Sequence, residues 1–274
     1  MQNKHITPAR RTSLELLNKI LVSNDPFEKI ILSSKNFLSL DDKDKRFTRL
    51  IITTVLRKFG QIDFIMNQFI KKGSIKKNNL KNIIRIGIAE LIFIKSARYA
   101  AINEAVETTK INYSNRLSKF TNAVLRNIDR DKEKLSSMIT DEMNYPSWLI
   151  EDWKQTWGTK QTKEIINYFQ KEPYLDISVA GDPQEMEKVV KGKIIYNKTL
   201  RIDEIINPSK LPFYQTENSN YHWWVQDVAA SIPAQLLINS DKTKIVDLCA
   251  APGGKTIQLL KANKKVISVD VSNE

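Results

Sequence analysis

Cysteine is almost absent from this 274-residue chain, and the single Cys249 excludes an internal disulfide framework or a site built from several thiolates. Histidine is nearly as rare: His5 and His222 are too few and too far apart to suggest a zinc cluster. No long apolar run occurs. The most apolar stretch, residues 83–94, is interrupted by Arg85 and Glu90 and is too short to span a bilayer. The opening MQNKHITPARR has no apolar segment of signal-peptide length. These absences predict a cytoplasmic protein with no metal and no membrane partner, and a monomer is expected.

Acidic residues are scarce in one half only. Residues 1–140 hold 27 lysines and arginines against 13 aspartates and glutamates, whereas residues 141–274 hold 16 against 18. The whole excess behind the net charge of +12 therefore lies in the first half. Such a half favours a polyanionic partner, with nucleic-acid phosphate the better explanation and a solvated lysine-rich surface the plain alternative. An apolar content of 41% is ample for buried cores, which excludes a disordered chain.

The basic half reads as helical throughout. Thr7-Pro8 supplies a cap with proline at the first helical position, and Leu14, Leu17 and Leu21 follow on one face. Further helices are predicted over about 26–38, from the charged capping segment 41–45 to near Gly60, and over about 62–70, 79–95, 101–113 and 117–129. Seven helices joined by short polar loops make an all-α domain. After a break at 141–146, YPSWL restarts a helix at Tyr145–Leu149. Trp148, Trp153 and Trp157 recur at near-helical spacing; a base-stacking platform is conceivable, but packing in a small core is the stronger reading. A helix over about 162–170, strands over 174–179 and 194–202, and a helix over 183–191 then describe a small α+β module.

The chemistry concentrates in IVDLCAAPGGKT, Ile245 to Thr256. Ile245, Val246 and Leu248 read as a strand, Ala250 to Gly254 as a tight turn, and the spacing of Ile257, Leu259 and Leu260 as a helix. A glycine turn clears side chains from the backbone, and the free amides of a helix start favour an anionic or strongly polar group. A second strand, Lys265 to Val269, ends at Asp270, where a carboxylate can accept the hydroxyls of a ribose. A P-loop would need a glycine where Cys249 stands, and a dinucleotide fingerprint would need a third glycine. An ordinary glycine-bearing αβ turn is the remaining alternative.

The string DLCAAPGGKT, Asp247 to Thr256, resembles the first cofactor motif of the RNA cytosine 5-methyltransferases related to RsmB (Sun, Fmu) and Nop2. The resemblance implies S-adenosylmethionine as cofactor, with Cys249, Ala250, Ala251, Pro252, Gly253, Gly254 and Lys255 lining its methionine end and Asp270 holding its ribose. The stretches at 41–57, 83–93, 101–110 and 120–128 resemble, in order, the NusB-type RNA-binding domain at the front of RsmB proteins. That implies ribosomal RNA as partner, with Arg10, Arg11, Lys45, Arg46, Arg49 and Arg126 as candidate phosphate contacts. Val225-Gln226-Asp227 resembles the family element that leads into the cofactor domain and helps cover the donor; for Asp227 a simple helix cap is an equal reading. LDISVA, Leu175 to Ala180, departs from the family's Leu-Arg-x-Asn pattern, so the basic and amide groups expected there are missing.

The fold class expected is therefore an all-α NusB-like domain over 1–138, an α+β linker over 139–222, and over 223–274 the start of an α/β Rossmann-like methyltransferase domain. The family's nucleophilic cysteine comes from downstream motifs not present in this sequence. No catalytic residue is assigned, and Cys249 is expected to pack as a small apolar group in the cofactor turn. The chain is expected to end inside the catalytic domain and to lack methyl transfer by itself. The rival reading is a non-catalytic, antitermination-type RNA-binding factor resting on the basic half alone.

Overall fold

The computed structural model describes residues 6–271 apart from 24, 72, 74, 76, 203–207 and 213–221; His5 lies outside the described residues. The chain divides into two compact units, residues 1–171 and 172–274. Among the described residues no helix is long and apolar enough to cross a membrane.

The first unit is helical: α1 (Pro8–Ile20), α2 (Phe27–Leu32), α3 (Lys35–Leu38), α4 (Asp42–Arg57), α5 (Phe59–Phe69), α6 (Asn78–Ile88), α7 (Arg98–Asn112), α8 (Asn115–Arg130), α9 (Lys132–Met138) and α10 (Ser147–Phe169). The helix expected over 26–38 is thus two short ones, because the Ser34 side chain accepts the Phe37 amide and starts α3 afresh. α6 continues as a π-helical stretch, Ala89–Ile94, and stops where Lys95 turns left-handed.

Two cores share α1 and α4. Successive residues on a helix point about 100° apart, so Leu17, Ile51 and Val55 enter the main core with Ile62, Ile84, Ile88, Leu125 and Ile128. Their sequence neighbours Leu16 and Ile52 enter a second core with Ile30, Ile31 and Phe37. Asp41 caps α4 by accepting the Asp44 amide, and Ser114 caps α8 in the same way. Thr7 does not cap α1; its amide and hydroxyl both donate to Glu104 Oε2, at 3.0 and 2.7 Å.

Gly60 is not a helix end. α4 stops at Arg57, and Gly60 is the second residue of α5, where a Cβ would overlap the Met143 carbonyl. That close approach brings the 3-10 turn Asp141–Asn144 onto α5, so that the Gln61 backbone amide donates to Asn144 Oδ1 and Asn144 Nδ2 donates to Gln61 Oε1, both at 3.0 Å. α10 turns sharply at Gly158. The core reading of the tryptophans fails for two of three: Trp148 is 67% and Trp157 52% exposed. Trp153 does pack, with ring centroids 5.7 Å from Tyr145 and 6.1 Å from Phe169.

The second unit contains β1 (Leu175–Val179), α11 (Pro183–Val190), β2 (Gly192–Tyr196), β3 (Thr199–Ile202), β4 (Trp223–Val225), α12 (Val228–Ile238), β5 (Lys244–Leu248), α13 (Gly254–Lys261) and β6 (Lys265–Val269). An antiparallel sheet has the order β2-β3-β1-β4. Ile177, Val179, Leu200 and Ile202 point from it onto Met186 and Val190 of α11. Asp176, where the family pattern has arginine, is buried and takes a two-pronged bond from Arg201 on β3, at 2.8 and 2.9 Å. The missing cation is met by one on the neighbouring strand. β5 and β6 form a parallel pair in register from Lys244 beside Lys265 to Leu248 beside Val269.

A Gly60→Ala variant is expected to lose about 1–3 kcal/mol of stability, the range for overfilling a packed contact. Urea unfolding followed by circular dichroism measures it, and an unchanged midpoint would contradict the close approach.

Candidate functional site

The β5–α13 connection carries the site. β5 forms because Ile245 and Val246 are β-branched and Ile245 packs on Ala234 and Leu259. Past Leu248 the amides of Cys249 and Ala250 both donate to the Val269 carbonyl, at 2.9 and 3.1 Å, so the chain bends across the end of β6. Cys249 (φ 77°) and Gly253 (φ 99°) are left-handed and bracket the bend. The peptide between Ala251 and Pro252 is cis. Gly253 donates its amide to the Ala250 carbonyl at 2.6 Å and precedes α13.

Glycine at 253 is required by conformation, since a side chain in that region costs about 1–2 kcal/mol. A Cβ at Gly253 would meet nothing within 4 Å, so the space beside the turn is open. Cys249 is exposed, which corrects the expectation that it packs: the left-handed turn swings it off the strand.

Asp270 is brought to the same loop and accepts the Ala251 amide at 2.8 Å. Asp247 accepts the Thr256 hydroxyl at 2.6 Å and pins the first turn of α13 to β5. No side chain caps α13, so the amides of its first turn face outward at Gly254 and Lys255 as a favourable place for an anion. All eight residues assigned to the cofactor by resemblance thus lie on one bend and on the strand end beside it. The bend can take a polar tail along the α13 start, with a carboxylate beside it for hydroxyl groups.

Gln226, in the element that by resemblance helps cover the donor, is buried against this turn, although the sequence gives it no contact of its own. Its Oε1 accepts the Trp224 indole N–H at 2.8 Å, its Nε2 donates to Gln258 Oε1 at 3.1 Å, and its side chain lies 3.6 Å from where a Gly254 Cβ would stand. Asp227 is a helix cap, accepting the Ala229 amide at 2.8 Å.

The six basic candidates scatter over α1, α4 and α8. Arg11, Arg46 and Arg126 are exposed and Lys45 is half-buried. Arg49 forms a two-pronged pair with Glu28, at 2.8 and 2.9 Å, and lies over the Phe37 ring. Arg126 donates to Asn122 and lines a shallow cavity with Arg98 and Tyr99. Arg10 stands apart: its side chain is 13% exposed and is held by Glu90 at 2.6 Å and Glu104 at 2.8 Å. Burial works against its charge, but the two carboxylates outweigh that and raise its pKa above the ordinary value. A guanidinium with its N–H groups engaged this way holds α1 to the π-helical stretch and to α7 and has little left for a phosphate.

Residues 7–130 match the NusB family. The chain is 29% identical over 240 residues to a probable ribosomal RNA small subunit methyltransferase B of Synechocystis, covering 80% of this chain and 53% of that protein. It is 26% identical to ribosomal RNA small subunit methyltransferase B of Erwinia tasmaniensis, covering 98% and 65%, and 26% identical to a probable one of Bacillus subtilis, covering 97% and 63%. The chain thus spans between about half and two thirds of the length of these relatives. The crystal structure of PH0851 shares the fold, with a TM-score of 0.66 at 19% identity, covering 98% of this chain and 65% of that one. This chain therefore carries a NusB domain and has rRNA small subunit methyltransferases B as its homologues.

Replacing Arg10 by alanine leaves Glu90, 1% exposed, without its cation, and removing one partner of a buried pair costs about 3–5 kcal/mol. A large fall in the urea midpoint is expected; full stability with weakened RNA binding would instead make Arg10 a phosphate contact. Gly253→Ala is expected to cost about 1–2 kcal/mol, read as a lower thermal midpoint.

Proposed function

We propose that this chain, a NusB domain joined to a sheet region and homologous to rRNA small subunit methyltransferases B, works in transfer of a methyl group from S-adenosylmethionine to carbon 5 of a cytosine in ribosomal RNA. In this reading residues 1–138 dock RNA, 139–222 link, and 223–274 begin the donor-binding domain of a cytoplasmic enzyme. The observation that carries it is the bend from Cys249 to Gly253 folded over the end of β6 with Asp270 bonded to it.

The residues fit the donor. Asp270 would accept the ribose hydroxyls, and the outward amides at Gly254 and Lys255 would hold the carboxylate of the methionine end. The open strip beside Gly253 leaves room for a ligand to approach the backbone. Asp247 and Gln226 keep the turn rigid from behind through Thr256 and Gln258. Bound there, S-adenosylmethionine supplies an electrophilic methyl group. Carbon 5 of cytosine needs a thiolate added at carbon 6 before it can attack such a methyl. In this reading Cys249 belongs to the donor bend, and we assign it no nucleophilic role.

Arg11, Lys45, Arg46, Arg49 and Arg126 are the proposed RNA contacts, acting as a group through phosphate neutralisation. A non-catalytic RNA-binding factor would need the same surface but no donor site. Calorimetric titration separates the two. S-adenosylmethionine is expected to bind, with Asp270→Ala weakening it at least about 10-fold, the order of one lost charge-assisted hydrogen bond. No binding, or a preference for a nucleoside triphosphate, would sink the donor reading. Affinity for ribosomal RNA is expected to fall steeply with salt, and a salt-independent affinity would sink the docking reading.

A further inference from the structure

A second cavity in the sheet unit lies apart from the donor bend. It has a volume of about 390 Å³ and opens between the end of β1, the β2–β3 turn, the start of β4 and the far ends of α12 and α13. That volume is within the about 300–1,000 Å³ of small-ligand sites. Among the described residues its lining contains Lys198, Lys261 and His222 and no carboxylate. Neither lysine forms an ion pair among the described residues.

The two lysines come from different elements. Asn197 is left-handed (φ 44°) in the turn that joins β2 to β3, and this turn presents the exposed Lys198. Lys261, also exposed, is the last residue of α13, two turns from the donor bend at the other end of the same helix. Inside, the walls are a flat aromatic and amides, Trp224, Gln235 and Gln258. The floor is a line of buried hydroxyls, in which Thr199 Oγ1 donates to Ser231 Oγ at 3.3 Å and lies 3.5 Å from Ser178 Oγ. Gln258 is held by Gln226 and by the Ser231 carbonyl, so this wall is already ordered.

Exposed cations with no acid beside them in the described lining favour an anion. A flat, amide-bearing and hydroxyl-floored interior calls for a planar polar group attached to it. We propose that this cavity seats one nucleotide of single-stranded RNA, its base against Trp224 and the glutamines and its flanking phosphates on Lys198 and Lys261. The site deepens the proposed function, on which it rests, by adding a contact for the RNA distinct from the basic helices and from the donor bend. Because Gln258 and Lys261 share α13 with that bend, a strand held here is held on the helix that begins at the donor.

The test is the salt dependence of binding to a fluorescein-labelled single-stranded ribosomal RNA oligonucleotide, by anisotropy, with the full chain. Each single-strand phosphate contact contributes about 0.7 to the slope of log affinity against log salt. Lys198→Ala with Lys261→Ala is expected to lower that slope by about 1.4, and Lys198→Arg with Lys261→Arg to keep it. Both variants should retain the thermal midpoint and the affinity for S-adenosylmethionine. At matched ionic strength, cytidine monophosphate is expected to displace the oligonucleotide from the wild type better than inorganic phosphate does. An unchanged slope in the alanine pair, or equal displacement by the two competitors, overturns the nucleotide seat. If the slope then falls only when Arg11, Arg46 and Arg126 are replaced, the docking reading survives without this seat. If the wild type binds no RNA, both fall.

Discussion

The sheet unit depends on one carbonyl. Val269 accepts two successive amides, from Cys249 and Ala250, and so turns the chain leaving β5 across the mouth of β6 rather than away from it. Every feature of the donor bend follows from that closure. The left-handed residues at 249 and 253 lie on either side of it, Asp270 lies one residue beyond the accepting carbonyl, and α13 starts where the turn ends. A backbone hydrogen bond contributes about 1 kcal/mol on balance, so two of them would not hold a bend of this shape alone. Asp247 on Thr256 and Gln226 on Gln258 brace it from the strand side and from the sheet side.

Charges in this protein divide into those that assemble it and those left for solvent or a ligand. Arg10 gathers Glu90 and Glu104, and through Glu104 also Thr7, which ties the first helix to the middle of the bundle. Arg201 satisfies Asp176, whose Oδ2 also accepts the Val228 amide and whose carbonyl accepts the Gln226 amide. One buried carboxylate thereby fixes the approach of β4, which carries Trp224, and of Gln226 just after it. Buried pairs of this kind contribute little net stability against apolar packing, and their use here is to fix geometry. The exposed cations at Arg11, Arg46, Arg126, Lys198 and Lys261 form no ion pair among the described residues.

What the sequence by itself determined is local. Apolar spacing at 3.6 residues placed the helices around Leu17, Ile51 and Leu125, because burial of one face is dictated by period alone. The alternation from Val246 through the glycines to Leu259 placed strand, turn and helix, because a turn with Gly253 left-handed needs the one residue without a Cβ. Only the tertiary structure decided what depends on contacts across long separations. It put Gly60 under the Met143 carbonyl, took Arg10 out of the basic surface, left Trp148 and Trp157 in the open, and exposed Cys249. Gly60 and Arg10 turn on partners between 80 and 94 residues away, and Cys249 on a backbone angle that a side chain disfavours. Composition and spacing carry no information on such partners, since an arginine held between two carboxylates and an arginine in water are the same letter.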